Sequence, residues 1–531
     1  MKYFIVTLVL YLILIMIKSR SALHMLQQNE YNENNRYIKW IESNFNKVFL
    51  NFDLILFIFI IVAHFIVNPK YNSIILWVLL FILIIRYIFD YIKNKKRVKK
   101  PLVYTSRIKR LIITILILYL LPFIIFICNF DMDVVNIYDI IFILYIYFSY
   151  FVVFIGNFIN KYTLEKIVYL YYFRKTVNKL NTFKDLKVVG ITGSYGKTSS
   201  KNILNDILSI KFNTVPTPKN WNTPYGLMKT IGGYIDKFDD IFIAEMGAYQ
   251  VGDIKRLCKL VKPKYGIITK IGTAHLESMG SEENIRKCKF ELLESLPSDG
   301  VCILNKDDIK QATYKYNGKA KIIWIGIENK DADFVASNIK IDKDGMSFDC
   351  KIGGKKVAFR TNLLGTPNIY NILAGIALGN YFGITNDQLV SAVKKVKPVE
   401  HRLELKNNGD ITYIDDAYSS NPEGAKMAIE VLSLMNGKKI IMTPGMIELG
   451  QKQEYYNKEF GKQIAKVCDI VILVGKKQTK PIYDGLVESN YKKENIHVID
   501  DVKKGFEIIN KVKDNNTFVL LENDLPDLFN E

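Results

Sequence analysis

The sequence predicts an α/β protein of two domains, preceded by a group of N-terminal transmembrane helices. Three observations support this fold class. Long apolar runs are confined to the first third of the 531 residues, a glycine-rich turn follows a short β-branched run near residue 190, and apolar and amphipathic stretches alternate from there onward. A chain of this length exceeds one hydrophobic core. We expect transmembrane helices over 1–160, a linker over 161–185, a central domain over 186–398 and a C-terminal domain over 399–531.

The N-terminal region contains five apolar runs, at about 3–17, 51–68, 73–92, 111–130 and 138–158. Crossing a bilayer takes ~20 apolar residues, so these runs predict about five membrane spans, of which the first is the shortest. Residues 93–110 carry nine Lys/Arg and no acid, which places that segment in the cytoplasm. Alternation from there predicts a multi-pass protein of the cell membrane whose soluble, catalytic domains are cytoplasmic.

The charge distribution favours the lipid bilayer as a partner. Residues 1–183 carry 22 Lys/Arg and 9 Asp/Glu, or +13 of the total of +19. Positive charge beside membrane segments sets topology and contacts anionic lipid. The soluble half contains no basic–aromatic platform, so we expect no nucleic-acid partner. His64 and Arg86 lie inside apolar runs and each is isolated in the sequence, so we expect Arg86 to extend toward the membrane surface rather than to form a functional site.

The stretch LKVVGITGSYGKTSSKNILNDIL (186–208) predicts a phosphate-binding turn. A β-branched run leads through glycines into an amphipathic helix, so backbone N–H groups and the helix N-terminus can converge on phosphate oxygens. Lys197 can reach the β- and γ-phosphates, and the Thr198 hydroxyl can bind Mg²⁺. The predicted nucleotide contacts are Gly193, Ser194, Tyr195, Gly196, Lys197, Thr198 and Ser199.

Three further side chains follow predicted strands or lie on a nearby helix. Glu245 ends the apolar run 241–245, where an α/β sheet places a metal ligand beside a phosphate-binding turn. His275 ends a similar unit that begins at residue 266. Lys289 lies on the amphipathic stretch after it. From the local sequence alone, His275 is interpreted as a hydrogen-bonded loop histidine and Lys289 as a lysine on a solvated helix face.

The spacing G-x-T-G-x-x-G-K-T from Gly190 to Thr198 resembles the phosphate-binding loop of the Mur ligases and of their folylpolyglutamate synthetase relatives. Other stretches resemble Mur-ligase motifs in the same order along the chain, namely TPKNWNTPYG (217–226), AHLESMGS (274–281), GTPNIYN (365–371), DDAYSSNP (415–422) and TPGMIELG (443–450). The resemblance covers about residues 186–531. It implies a P-loop central domain and a Rossmann-like C-terminal ligase domain.

The resemblance also implies ATP and Mg²⁺ as cofactors and assigns roles to residues. The implied metal ligands are Thr198, Glu245, His275 and Lys289, the last as a carbamate. The implied nucleotide contacts beyond the turn are Asn368, Asn371, Arg402, Asp415 and Asp416. The implied substrate contacts are Asn220, Asn222, Tyr418 and Asn421. The implied catalytic residues are Lys197, His275, Lys289 and Arg402.

The function implied is ATP-dependent formation of an amide from a carboxylate and an amine, through an acyl phosphate, in peptidoglycan precursor synthesis. Within the family, DDAYSSNP and AHLESMGS are most similar to members that add D-alanyl-D-alanine to a UDP-N-acetylmuramoyl tripeptide. Two departures concern the substrates: five apolar runs replace the domain that holds the UDP-sugar, and ENDLPD (522–527) replaces a C-terminal K-G-S-R. The sequence therefore leaves open whether the precursor is UDP-linked or lipid-linked. It also leaves open whether the acceptor is an amino acid or a dipeptide.

Three alternatives remain open from the sequence. The first is another Mur-type ligase, such as a membrane-associated poly-γ-glutamate synthase. The second is a membrane-tethered P-loop ATPase or regulatory kinase, which has no use for His275, Lys289 or the DDAYSSNP element. The third is a non-catalytic scaffold, against which the retention of Lys197, Thr198 and Glu245 argues.

Overall fold

The computed structural model describes residues 2–29, 31, 36–66, 69–95, 101–128, 141, 143–274, 276–342, 345–418, 421–447 and 449–524. The chain separates into two compact units, Met1–Tyr171 and Tyr172–Glu531. His275 and Glu448 of the predicted motifs lie outside the described residues. Residues 129–140, which include the end of the fourth predicted span and the start of the fifth, also lie outside them.

The N-terminal unit is helical. Its helices are α1 (Lys2–Gln28), α2 (Ile38–Ser43), α3 (Phe45–Val48), α4 (Phe52–Ile66), α5 (Pro69–Lys95), α6 (Ser106–Cys128) and α7 (Ser149–Tyr162). Helix α8 (Leu164–Thr182) occupies most of the stretch predicted as a linker. Leucine and isoleucine side chains such as Leu14, Leu80 and Ile108 form the buried core of the unit.

The outer surface of this helical unit is unusually apolar. Phe59, Phe81, Phe89, Ile113 and Ile117 are each more than half exposed. Two described segments, Val9–Gln28 and Ile74–Ile92, are long and apolar enough to cross a membrane by length and composition alone. Because a core helix can meet the same criterion, the five-span arrangement stays a prediction.

Arg86 is not isolated, contrary to the prediction from sequence. Its Nη1 donates to Asp53 Oδ1 at 2.6 Å, and Asp53 Oδ2 accepts from Lys18 Nζ at 3.2 Å and from the Tyr87 hydroxyl at 2.7 Å. Asp53 lies in the first turn of α4 and is buried. The sequence hid this pairing because the partners are 33 and 35 positions apart and meet only through helix packing. The side chain of His64 lies outside the described residues.

The first sheet of the second unit has nine strands in the order β2-β3-β1-β4-β5-β6-β7-β8-β9. The strands are β1 (Lys187–Thr192), β2 (Thr214–Pro216), β3 (Ile241–Glu245), β4 (Tyr265–Ile268), β5 (Val301–Asn305), β6 (Lys321–Gly326), β7 (Phe334–Asp342), β8 (Gly345–Ile352) and β9 (Lys355–Thr361). Pairing is parallel from β2 through β7 and antiparallel from β7 to β9. The parallel strands β3, β4 and β5 are buried on both faces, which is why they read as continuous apolar runs.

Helices cover both faces of this sheet. They are α9 (Lys197–Leu208), α10 (Pro224–Gly233), α11 (Asp253–Val261), α12 (Leu276–Met279), α13 (Glu282–Glu294), α14 (Ile309–Ala312), α15 (Thr366–Tyr381) and α16 (Asn386–Lys395). Ile207 of α9 and Ile372 of α15 pack in one core with Val189 and Ile243 of the sheet. The core therefore fixes α9, and with it the turn before Lys197, against the carboxyl ends of β1 and β3.

The second sheet has six strands in the order β10-β11-β15-β12-β13-β14. The strands are β10 (Glu404–Asn408), β11 (Ile411–Asp416), β12 (Lys438–Thr443), β13 (Ile470–Val474), β14 (Ile496–Ile499) and β15 (Thr517–Glu522), and the helices are α17 (Pro422–Ser433), α18 (Gln453–Ile464), α19 (Lys480–Glu488) and α20 (Val502–Val512). Strands β11 to β15 are parallel, which confirms the predicted α/β fold. The antiparallel edge strand β10 was not predicted, because its polar sequence ELKNN carries no apolar periodicity.

Candidate active site

The turn between β1 and α9 requires glycine at two positions. Gly196 has φ +78° at the start of α9, and Gly193 has φ +152°. A Cβ on Gly193 would lie 1.9 Å from Thr269 Oγ1. The backbone N–H groups of Ser194 and Tyr195 both point to the Lys270 carbonyl, at 2.9 and 3.3 Å. The turn is thus held against the segment after β4.

Lys197 bends back over this turn. Its Nζ donates to the carbonyl oxygens of Gly193 at 2.8 Å and Ser194 at 3.1 Å. Burial, together with the positive charges of Lys289 and Arg402, lowers the pKa of Lys197 to about 7, and Glu245 partly opposes this shift. Lys197, Lys289 and Arg402 therefore lie close enough to influence one another, and a multiply charged anion such as a triphosphate would offset the repulsion between their charged forms.

Glu245 ends β3 directly beside the turn and connects several predicted residues. Its Oε1 accepts from Thr198 Oγ1 at 3.2 Å and from Asn222 Nδ2 at 3.0 Å. Lys201 Nζ lies 3.1 Å from Oε2, an ion pair whose geometry leaves Oε2 without an aligned hydrogen bond. A buried carboxylate oxygen with spare acceptor capacity next to a hydroxyl is a donor set that suits Mg²⁺.

Lys289 on α13 is almost fully buried. Among the described residues, none forms a hydrogen bond or a salt bridge with its ammonium group, and burial lowers its pKa. Its charge influences Lys197, which places it in the same region. The third predicted metal ligand, His275, lies outside the described residues, although the preceding segment is well fixed, since Asp308 Oδ2 accepts from Ile271 N at 2.9 Å and the Tyr195 hydroxyl accepts from Thr273 N at 3.0 Å.

A cavity of about 210 Å³ lies beside the turn, between the carboxyl ends of β4 and β5 and the start of α17. The predicted residues that line it are Tyr195, Gly196, Ser199, Asn368, Asn371, Arg402, Asp416 and Asn421. Its far wall contains Asp307 and Tyr370, whose hydroxyl donates to Asp307 Oδ2 at 2.8 Å. Burial opposes the charge of Asp307, but backbone N–H groups at residues 327–329 and the Tyr370 hydroxyl outweigh it and hold its pKa below the usual value.

The two adjacent aspartates of β11 have different surroundings. Asp416 lines the cavity, and burial raises its pKa to about 6, with Arg402 and the Leu403 N–H opposing the rise. Asp415 does not line the cavity, because its Oδ2 is bound by His401 Nδ1 at 2.7 Å and by Lys406 Nζ at 2.6 Å. Only one aspartate of the pair is therefore placed to contact a ligand there.

The four predicted substrate residues are distributed over both sheets of this unit. Asn222 contacts Glu245, as described above. Burial raises the pKa of Tyr418, and the Arg402 guanidinium, 4.6 Å from the Tyr418 ring centre, and the side chain of Asn220 oppose that rise. Asn421 caps α17 through a 2.9 Å bond from Gly424 N to its side-chain oxygen. Asn220 and Tyr418 thus lie near each other at the edge of the site.

Sequence reasoning missed Lys201, Asp307 and Tyr370. Lys201 follows Lys197 by four positions, so it lies one helical turn along the same face of α9, and this spacing was a usable signal. Asp307 lies in the polar loop after β5, at the same sheet edge as Glu245. Tyr370 had no such signal, because a tyrosine in an apolar helix resembles a core residue.

The site combines a glycine-rich turn between a strand and a helix with a carboxylate at the end of the neighbouring strand β3. A second, mainly parallel sheet lies beside the cavity. These features define a P-loop α/β protein with an appended Rossmann-like domain. Residues 191–379 match the Mur ligase middle domain, and residues 401–521 match the Mur ligase, glutamate ligase domain. This part of the chain belongs to the Mur ligase family.

Several relatives are UDP-N-acetylmuramoyl-tripeptide--D-alanyl-D-alanine ligases. The proteins from Bacillus subtilis (strain 168) and Escherichia coli (strain K12) are each 32% identical, over 284 and 295 residues. These matches cover 52% and 55% of this chain and 60% and 65% of the relatives, so the chain spans less than two thirds of either relative.

Solved structures agree with the sequence comparisons. The MurF ligase from Thermotoga maritima in complex with ADP is 25% identical, with a TM-score of 0.61 over 68% of this chain and 81% of that one. A pseudomurein peptide ligase type C from Methanothermus fervidus shares the fold at 18% identity, with a TM-score of 0.51 over 64% of this chain and 76% of the other.

Proposed function

We propose that this protein is an ATP-dependent ligase of peptidoglycan precursor synthesis, which adds D-alanyl-D-alanine to a muramoyl tripeptide through an acyl phosphate. One observation carries the proposal. Glu245 and Thr198 lie on one side of the phosphate-binding turn, while Lys197 lies over the turn and Arg402 brings positive charge to the same region. A carboxylate and a triphosphate repel each other, and this arrangement offsets that repulsion.

The proposed reaction has two steps. A carboxylate oxygen of the precursor attacks the γ-phosphorus of ATP, and ADP leaves. The amine nitrogen then attacks the acyl carbon, the C–O bond to phosphate breaks, and the amine loses a proton. Lys197, Arg402 and the N–H groups at the start of α9 hold the transferred phosphoryl group.

Mg²⁺ is proposed to be held by Thr198, Glu245, His275 and Lys289, where it would neutralise phosphate charge. The lysine fits this role as a carbamate, because its buried amine has no partner among the described residues and carbamylation turns it into an anionic oxygen ligand. A ¹³C carbamate signal from protein equilibrated with ¹³C-bicarbonate, lost in Lys289→Arg, is expected. If the wild type and Lys289→Arg gave the same ¹³C signal, the carbamate assignment would be wrong.

The cavity beside the turn is proposed to hold the adenosine part of ATP. Asn368 and Asn371 line one wall, where an amide can pair with an adenine edge, and Asp416 is placed to accept from ribose hydroxyls. Asp415 is assigned a supporting role, because it holds His401 and Lys406 instead. Asn220, Asn222, Tyr418 and Asn421 lie on the side where the precursor and the incoming amine would meet.

The N-terminal unit is proposed to be embedded in the cell membrane, with residues 186–398 and 399–531 as cytoplasmic domains. Two helices of sufficient length and the exposed apolar side chains of α4, α5 and α6 support this placement, because a soluble unit rarely exposes so large an apolar surface. Retention of the full-length protein in membranes washed with alkaline carbonate is expected. Release into the wash would contradict the proposal.

The function is tested by phosphate release from the detergent-purified full-length protein with a panel of precursors and amines. We expect release that requires both a muramoyl tripeptide and D-alanyl-D-alanine, with one amide formed per phosphate. Dependence on glutamate instead would identify a poly-γ-glutamate synthase, and release without any amine would identify an ATPase. Lys197→Ala should lower turnover at least ~100-fold, since it removes a charge from the transferred phosphoryl group, while Lys255→Ala, an exposed lysine of α11, should not.

A further inference from the structure

The N-terminal unit contains a second cavity, of about 760 Å³. Residues of α1, α3, α4, α5, α6 and α7 line it, together with Pro101, Leu102 and Tyr104. Part of the wall is apolar and includes Ile15, Leu23, Ile112 and Ile115. The remainder is charged, so the cavity is amphipathic.

The charged side chains of this cavity do not balance. Among the described residues, the lining contains four cationic side chains, Lys18, Arg20, Lys47 and Arg86, and two carboxylates, Asp53 and Asp90. Asp53 is shared by two of the cations, and Asp90 lies 3.9 Å from Arg86. Counted over lysines, arginines and aspartates, these lining residues have an excess of two positive charges.

Two of the cations have no acidic partner among the residues that the structure describes. The Arg20 guanidinium lies 4.3 Å from the centre of the Tyr91 ring, which leaves its N–H groups available for bidentate contact with the oxygens of an anion. Lys47 is exposed and forms no salt bridge within the described part of the chain. Positive charge without an acidic partner attracts anions, and charge-assisted contacts with Arg20 and Lys47 would favour one that binds in this cavity.

The cavity lies at one end of the helices. Lys18 and Arg20 are in the second half of α1, Arg86 is in the second half of α5, and Asp53 is in the first turn of α4. The charge pattern of the sequence assigns these ends to the cytoplasmic side, next to the basic segment 93–110. This is the level of lipid headgroups, with the apolar wall toward the acyl chains.

We propose that this cavity binds the diphosphate group of a membrane lipid, and that the precursor used by the ligase is therefore lipid-linked. The identity of the attached peptide rests on the proposed function, but the binding of the lipid does not. A diphosphate that joins a lipid to a sugar is a diester with two negative charges, which equals the charge excess of the lining. Bidentate contact with Arg20 and a point contact from Lys47 would hold it, and the apolar wall would receive the first part of the chain.

Binding of farnesyl diphosphate to full-length protein in dodecyl maltoside tests the proposal. The measurement uses the Lys197→Ala background, so that the probe cannot report on the phosphate-binding turn. The test variant is Arg20→Gln with Lys47→Gln, neither of which contacts Asp53. The matched control is Lys109→Gln with Lys166→Gln, two exposed lysines of the same unit that do not line the cavity.

We expect saturable binding that the test variant weakens at least ~10-fold and the control variant leaves unchanged, because two charge-assisted contacts are lost only in the former. Inorganic pyrophosphate, farnesol and dioleoylphosphatidylglycerol should compete poorly, since each lacks either the tail or the diphosphate. Equal competition by pyrophosphate would overturn the proposal in favour of a free-phosphate site. If phosphatidylglycerol competed as well as farnesyl diphosphate, or if the test and control variants bound the probe equally, the cavity would make only non-specific contacts with lipid and the proposal would be wrong.

The same preparation without Lys197→Ala separates this inference from the proposed function. If phosphate release fails for every amine while farnesyl diphosphate still binds through Arg20 and Lys47, the ligase assignment fails and the lipid site stands. If release occurs and the lipid does not bind, the ligase stands and the lipid site fails.

Discussion

Glu245 is the residue on which the site depends. Its carboxylate contacts a hydroxyl, an amide and an ammonium, each from a different part of the fold. Because it is buried, its charge is tolerated only with Lys201 beside it or with a metal ion in its place. We infer that Lys201 balances Glu245 when Mg²⁺ is not bound.

Lys201→Met should lower the free energy of unfolding by about 3 kcal/mol, because it leaves the buried carboxylate of Glu245 without a counter-charge. Adding Glu245→Gln should recover part of that loss, since the neutral amide needs no cation. Urea unfolding of the full-length protein measures both effects. Lys255→Met, on the surface, is the control and should change little; equal losses in the single and double variants would argue against the pairing.

Asp416 gives the protein a specific dependence of stability on pH. Burial raises its folded-state pKa to about 6, above the ordinary 3.8, so between these values the folded state retains a proton that the unfolded state releases. Stability from this group is therefore present below pH 4 and declines as pH rises to 6. The decline is at most about 3 kcal/mol for a shift of about two pKa units.

Asp416→Asn should remove that decline. The melting temperature of the variant relative to the wild type should rise as the pH is changed from 4 to 7. Asp415→Asn is the comparison. Its difference should stay nearly constant over this range and change only below about pH 4, because hydrogen bonds from Lys406 and His401 outweigh burial and lower the pKa of Asp415 below its ordinary 3.8. If the difference in melting temperature between Asp416→Asn and the wild type did not depend on pH, the pKa of this carboxyl in the folded state would be close to its ordinary value.

At the scale of elements, the phosphate-binding turn is a junction of two strand ends rather than a free loop. Hydrogen bonds tie its backbone to Lys270, and its first glycine lies against Thr269. The segment after β4 therefore positions the turn and also leads toward His275. Displacement of either segment would disturb both the phosphate contacts and the proposed metal ligands.

Gly193→Ala should lower the affinity for ADP at least ~100-fold, because the added methyl group would overlap Thr269 Oγ1 and force the turn away from the segment after β4. Calorimetric titration of ADP into the full-length protein measures this. Gly232→Ala is a matched control in α10, where an added Cβ meets nothing within 4 Å, and its stability should change by less than ~1 kcal/mol. Unchanged affinity in Gly193→Ala would show that the turn does not hold phosphate in this conformation.

At the scale of the whole molecule, local patterns predicted more than long-range ones. The sequence contains the information for β1, the turn and α9 in one continuous stretch, and Glu245 was expected at the end of β3 because strand ends carry polar groups. The pairing of Arg86 with Asp53 and the opposite orientations of Asp415 and Asp416 could not be predicted, since they depend on packing between distant segments. Tyr370 was missed for the same reason, as its partner Asp307 is 63 positions away.

The most direct measurement of the central claim is the fate of oxygen from the carboxylate substrate. Muramoyl tripeptide labelled with ¹⁸O in its terminal carboxylate is converted with ATP and D-alanyl-D-alanine, and the released phosphate is analysed by mass spectrometry. Attack of that carboxylate on the γ-phosphorus predicts one ¹⁸O atom in each phosphate. Amide formed with unlabelled phosphate, or labelled phosphate absent while ATP is consumed, would contradict the acyl-phosphate mechanism.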